Sequence, residues 1–143
     1  MSAPVLFFDI GDTLGVPDTD GGALRGIRIF PFVPEILSRL RPQCRLGLLS
    51  NTGRETLPTL QRLLADAGII EFFETSLQLF SSIEGVDKTT VEIFHRAVAR
   101  AGTPASRCVY ISEDDAEREL ASRAGMQVSY HPLHVFHVIE TLG

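Results

Sequence analysis

No stretch of this chain is apolar for long enough to span a bilayer, which takes about 20 residues, so a membrane protein is not expected. Basic charge is short: 13 Lys and Arg against 18 Asp and Glu leave a formal net charge of −5. That is the wrong sign for nucleic acid as a default partner. The opening Met1-Ser2-Ala3-Pro4 carries no basic n-region, so the apolar run after it reads as a strand and not as a signal peptide. Cysteine is scarce. Cys44 and Cys108 each open an apolar run and show no metal-ligand spacing. They predict two free thiols in or near the core and a reducing, cytoplasmic compartment. Internal repeats and low-complexity tracts are absent. What is present is 44% hydrophobic and 22% charged over 143 residues, which suits a single globular domain, 1–143, with one core.

Five apolar segments read as strands: 5–8, 45–49, 76–80, 108–111 and 127–130. Several are continuous apolar runs, the pattern of parallel strands buried on both faces. Helical patterns lie between or after them at 34–40, 56–67, 89–101, 115–124 and 133–142. Pro34 suits a first turn. Leu57, Leu60, Leu63 and Leu64 form the core face of a helix that stops at Gly68. Thr89 and Glu92 have the spacing of a capping box. The alternation predicts a doubly wound, Rossmann-like α/β/α sandwich around a five-stranded parallel sheet. Segment 15–29, rich in Gly, Asp and Pro, is expected to be a loop or small hairpin over one edge of the sheet.

That edge is where ligands bind in open α/β sheets, outside the carboxyl ends of the strands. The first strand ends on Asp9, followed by Ile10-Gly11-Asp12-Thr13-Leu14. The second ends in Ser50-Asn51-Thr52-Gly53, read as a hydroxyl and free N–H groups at a helix start, an anion site. Lys88 follows the third strand, and Ser112-Glu113-Asp114-Asp115 follows the fourth. Taken singly, each has an ordinary explanation: an Asx turn for Asp9, an N-cap for Ser50, a solvated surface amine for Lys88, helix-dipole complements for the acids. Taken together at successive strand ends, they supply a nucleophilic carboxylate, two phosphate-binding groups and acids for a magnesium ion. Glu117 and Glu119 read as the solvated start of a helix. His131, His134 and His137 lack an adjacent acidic set and are not assigned a metal.

These segments resemble the four motifs of the haloacid dehalogenase (HAD) superfamily over nearly the whole chain. The resemblance implies Asp9 as nucleophile, Ser50 as phosphate ligand, Lys88 as the basic residue and Mg²⁺ as cofactor. It implies Asp9, the Gly11 carbonyl and Glu113 as metal ligands, with Asp114 the alternative to Glu113. Gly11, Asn51 and Thr52 are expected to contact substrate. The chain departs from the pattern in three places. Phosphatases of the family carry a second Asp two residues after the nucleophile, and here that position is Gly11. Asp12, one residue later, is the candidate replacement, although its side chain is expected to point elsewhere. Thr89 stands where a proline usually follows the lysine, and Ser112-Glu113 where Gly-Asp is usual.

No segment is long enough for a large cap, so segment 15–29 is left as a short flap. An open site suits a phosphoprotein, or a site roofed by a partner or by a second copy in a homodimer. The leading expectation is a Mg²⁺-dependent phosphohydrolase acting on a phosphorylated small molecule or protein, slowed by Gly11. The alternatives are a catalytically degenerate binding or regulatory protein, and a 2-haloacid dehalogenase-like hydrolase.

Overall fold

The computed structural model describes residues 3–142. Met1 and Ser2, on which the expectation of no signal peptide partly rested, lie outside the described residues. Strands β1 (Val5–Phe8), β4 (Arg45–Ser50), β5 (Gln78–Phe80), β6 (Cys108–Ile111) and β7 (Gln127–Ser129) form one sheet in the order β5-β4-β1-β6-β7. Every pairing in it is parallel. The expected α/β/α sandwich is present. Strands β2 (Gly15–Asp20) and β3 (Ala23–Ile29) form a separate antiparallel hairpin from the segment read as a loop or hairpin.

The central strands are apolar throughout because both their faces are covered. Leu6 and Phe8 of β1 pack toward Val33 and Leu37 of α1 (Val33–Leu40), with Leu60 and Leu64 of α2 (Leu57–Asp66) in the same cluster. Val5 and Phe7 point the other way, toward Ile93 and Phe94 of the helix Glu92–Ala101. Each fully buried Phe or Leu contributes about 1.5–3 kcal/mol. Gly47 is required where the chain entering β5 crosses β4, since a Cβ there would lie 2.5 Å from the Leu77 carbonyl oxygen. Cys44 and Cys108 are free and buried, and burial pushes both thiols up to about 11. No helix among the described residues is long and apolar enough to cross a membrane.

Several expected boundaries move for local reasons. The third strand begins at Gln78 and not at 76, because Thr75–Leu77 is a 3₁₀ turn anchored by the Glu74 N–H on the Leu46 carbonyl. A short helix, α3 (Ser81–Glu84), closed by left-handed Gly85, follows it without a sequence signal. The next helix, α4, spans Glu92–Ala101. Its capping box does not form: the N–H and hydroxyl of Thr89 both go to Asp87 Oδ1, an Asx turn that competes for the cap. Helix α5 (Asp115–Arg123) follows β6, and α6 (Val135–Glu140) is shorter than 133–142. Leu57 is 36% exposed, so the core face of α2 is Leu60, Leu63 and Leu64.

Candidate active site

Asp9 extends the ladder beyond β1, donating its N–H to the Ile111 carbonyl at 2.9 Å. Its backbone is therefore set by the sheet. Asp9 Oδ1 accepts from the Ile10 N–H at 2.8 Å and from Lys88 Nζ at 2.7 Å. Lys88 arrives on the loop before α4, where Asn51 Oδ1 accepts its backbone N–H at 3.0 Å. Its ammonium also lies 2.8 Å from Glu117 Oε1 and 3.2 Å from the Tyr110 hydroxyl. Tyr110 donates to Glu117 Oε1 at 2.6 Å, and Ser112 donates to the same oxygen at 3.2 Å. Ser112 Oγ is 3.4 Å from Asp9 Oδ2.

An ammonium has three protons, and those of Lys88 have three protein acceptors. The Lys88 side chain is 3% exposed and that of Asp9 9%. Burial pushes the Asp9 carboxyl above its ordinary range. The Lys88 charge and hydrogen bond oppose this, the Glu117 charge adds to it, and the Ile10 N–H opposes it. Burial, then the charges of Asp9 and Glu117, raise the Tyr110 hydroxyl well above its usual value, so it stays a neutral donor.

After Asp9 the chain turns sharply. The Ile10 carbonyl accepts the N–H groups of Thr13, Leu14 and Gly15. Asp12 takes a left-handed conformation, φ 61°, which short polar side chains tolerate. Gly15 lets the hairpin close, because a Cβ there would sit 2.4 Å from the Arg28 carbonyl oxygen.

A cavity of about 390 Å³ opens at this edge. Asp9, Gly11, Asp12, Ser50, Lys88 and Glu113 all line it. Asp12, expected to point its side chain elsewhere, lies in the cavity wall on a left-handed turn. Asn51 and Thr52 also line the cavity, with part of their polar groups already engaged. Asn51 Oδ1 holds the Lys88 backbone. The Thr52 N–H donates to Ser81 Oγ, and its hydroxyl pairs with Ser82. The reading of 50–53 as a helix start is also corrected, since α2 begins at Leu57 with Thr56 as its cap. Asp114 does not line the cavity. Its carboxylate caps α5 by accepting the Glu117 N–H at 2.9 Å.

The donor set fits a magnesium ion. Magnesium takes oxygen ligands and keeps several waters, with one or two carboxylates from protein. Asp9, Glu113 and the Gly11 carbonyl supply such oxygens. The carboxylate of Glu113 and the carbonyl of Gly11 have no protein partner among the described residues. With both acids ionised, the trio of Asp9, Glu117 and Lys88 carries one surplus negative charge, and Asp12, Glu55 and Glu113 add carboxylates against one further cation, Arg54. A phosphate dianion meets net repulsion there unless a divalent cation offsets it. Among the described residues no group of three or more His, Cys, Asp or Glu is placed to hold a metal ion, so a magnesium ion there would rest on two carboxylates, a carbonyl and water.

Glu117 and Tyr110 were not legible as site residues. Glu117 looks like the second acid of a solvated helix turn, yet capping by Asp114 fixes the first turn of α5 so that Glu117 faces Lys88. Tyr110 looks like one more apolar strand residue. A cheap signal existed for Lys88, which is the only lysine among the 13 Lys and Arg.

No protein-family profile and no curated protein matches the chain. Solved structures do. An uncharacterised protein from Listeria monocytogenes superposes with a TM-score of 0.81 at 16% identity, over 97% of this chain and 98% of its own. A HAD-superfamily hydrolase, subfamily IA, variant 1, from Geobacter sulfurreducens gives 0.72 at 10% identity, over 96% and 100%. A HAD family enzyme from Bacteroides thetaiotaomicron, in complex with magnesium and inorganic phosphate, gives 0.66 at 13% identity, over 90% and 93%. The chain therefore has the fold of the haloacid dehalogenase-like hydrolases, in a small form that carries the β2–β3 hairpin at the site.

Proposed function

We propose that the protein is a cytoplasmic, Mg²⁺-dependent phosphohydrolase that works through an aspartyl-phosphate on Asp9. One observation carries this reading: a buried carboxylate at the end of β1 has Oδ1 pinned by Lys88 and the Ile10 N–H, while Oδ2 keeps a single long contact to Ser112. Oδ2 attacks phosphorus, and the bond from phosphorus to the leaving alcohol breaks. The departing alkoxide takes its proton from Asp12 or from water. Water then adds to phosphorus, the bond to Asp9 breaks, and inorganic phosphate leaves with the carboxylate restored. Lys88 orients Asp9 and lowers the cost of its charge in a buried place. Ser50 is proposed to bind a phosphate oxygen. Magnesium held by Asp9, Glu113 and the Gly11 carbonyl would offset the charge of the transferring phosphoryl group.

The test is turnover of a broad phosphoester panel, with and without Mg²⁺, for wild type beside Asp9→Asn. Mg²⁺-dependent turnover that disappears in Asp9→Asn supports the reading. Turnover that persists in the variant sinks it.

A second reading, a binding protein without turnover, is favoured by Gly11 and by the complete engagement of Lys88. Its mark is phosphate or Mg²⁺ binding by calorimetry with no aspartyl-phosphate trapped on rapid acid quench.

A further inference from the structure

We infer that Ser112 is a catalytic residue for the second half of the reaction, its hydroxyl donating to Asp9 Oδ2 as that oxygen leaves phosphorus, an inference that rests on the phosphohydrolase reading and deepens it. Ser112 stands where glycine is usual in the family the chain resembles, and glycine has no proton to offer. The residue is fully buried and held at three points. Its N–H donates to the Ser129 carbonyl at 3.0 Å, its carbonyl accepts from Arg118 Nη1 at 2.7 Å, and its Oγ accepts the Asp114 N–H at 3.1 Å.

Only the hydroxyl proton stays adjustable. Serine has one such proton, and two carboxylate oxygens lie around it: Glu117 Oε1 at 3.2 Å and Asp9 Oδ2 at 3.4 Å. Both distances are long for a hydroxyl donor, so the resting hydroxyl holds neither oxygen tightly. The two acceptors differ in need. Glu117 Oε1 also takes protons from Tyr110 at 2.6 Å and Lys88 at 2.8 Å, and it keeps both when Ser112 turns away. Asp9 Oδ2 has no other protein partner among the described residues.

The two steps ask opposite things of Oδ2. In the first, Oδ2 gives an electron pair to phosphorus and loses charge, and a donor on it would hold it back. With the Ser112 proton toward Glu117, the nearer acceptor, Oδ2 is free to attack. In the second, water adds to phosphorus and releases a proton to solvent. The bond from phosphorus to Oδ2 breaks, and its electron pair returns to Oδ2 as charge. Rotation about the Cβ–Oγ bond then turns the Ser112 proton to Oδ2 with no heavy atom moving, so a donor is already placed where charge develops. Ser112 keeps its proton throughout.

The test compares wild type with Ser112→Ala, and with Ser112→Gly as a second variant, on p-nitrophenyl phosphate with Mg²⁺. Its leaving group departs as the anion, so Gly11 does not limit the first step. Rapid mixing reads that step as the nitrophenolate released in the first turnover. Acid quench after removal of substrate reads the decay of phosphorylated Asp9. Ser112→Ala is expected to slow the decay by about 10- to 100-fold, the scale of a hydrogen bond to a charged group. First-turnover release stays at or above the wild-type rate, so kcat falls together with KM and kcat/KM holds. Decay at the wild-type rate overturns the role of Ser112, and so does a first step slowed as much as the decay. If wild type neither labels Asp9 nor turns over any phosphoester in an Asp9-dependent way, the hydrolase reading and the role fall together. Asp9-dependent turnover with unaltered decay in Ser112→Ala removes the role alone.

Discussion

On one side of Asp9, Lys88, Tyr110, Ser112 and Glu117 spend their donors and acceptors on one another and on Asp9. On the side that faces the β1–β2 turn, the carboxylates of Asp12 and Glu113 and the Gly11 carbonyl have no protein partner among the described residues. The first side is preformed by its own contacts. The second lines the cavity with unpaired oxygens. The departures from the HAD pattern at Gly11 and Glu113 fall on the open side. A change there disturbs no packed neighbour and alters chemistry alone, whereas a change on the closed side leaves a buried charge unpaired.

Removing the reacting group gives the largest effect. Asp9→Asn is expected to lower turnover by at least about 10⁴-fold, the scale of losing a nucleophile. Its stability behaves differently. Burial raises the Asp9 carboxyl above its ordinary value of 3.8, so the folded state binds that proton more tightly than the unfolded chain. The stability this confers is complete below the unfolded value and is lost as pH rises through the folded one. The Asn side chain has no such proton. Melting curves should therefore show Asp9→Asn gaining on wild type as pH rises from about 4, and a constant difference across pH would contradict the burial argument.

Lys88→Met breaks the closed side at its centre and leaves Asp9 and Glu117 facing each other without a cation. The expected cost is about 3–5 kcal/mol, read from urea denaturation near neutral pH. A loss under about 1 kcal/mol would mean that the pair behaves like a surface ion pair and that the closed side is wet.

On the open side an acid can be added. The backbone of Gly11 is not left-handed, and a Cβ there would meet Pro17 Cγ at 3.5 Å, an ordinary contact. Gly11→Asp should restore a general acid–base and raise kcat/KM by about 10²–10⁴-fold. It should also add a basic limb to the pH profile. An unchanged kcat/KM would show that Asp12 or water already does this work.

The two sides also differed in how far the sequence revealed them. The positions of Asp9 and Ser50 were legible because continuous apolar runs define β1 and β4, and the residue that ends each run emerges at the carboxyl edge; Lys88 comes later, after α3, and reaches Asp9 from a loop that no apolar run marks. Glu117 was not, because its place depends on Asp114 acting as a cap instead of a metal ligand. Two acids that close together can exchange such roles without altering the pattern. The place of Asp12 in the cavity wall goes with a positive φ at a residue other than glycine, which residue type alone does not encode. Thr89 and Glu92 had the spacing of a cap, but Asp87 lay closer and took the hydroxyl.

The smallest effect concerns how firmly the open side is roofed. The Leu24 N–H to Glu55 bond is partly buried and stands at 3.0 Å, so Glu55→Ala should cost about 0.5–1.5 kcal/mol. Water can replace the lost acceptor at the hairpin, which keeps the cost at the low end. The consequence is local: amide exchange in β2 and β3 should speed up while exchange in β1, β4 and β6 stays the same. If the central strands also exchange faster, the hairpin is part of the cooperative core, and the contrast between a rigid floor and a separately held roof fails.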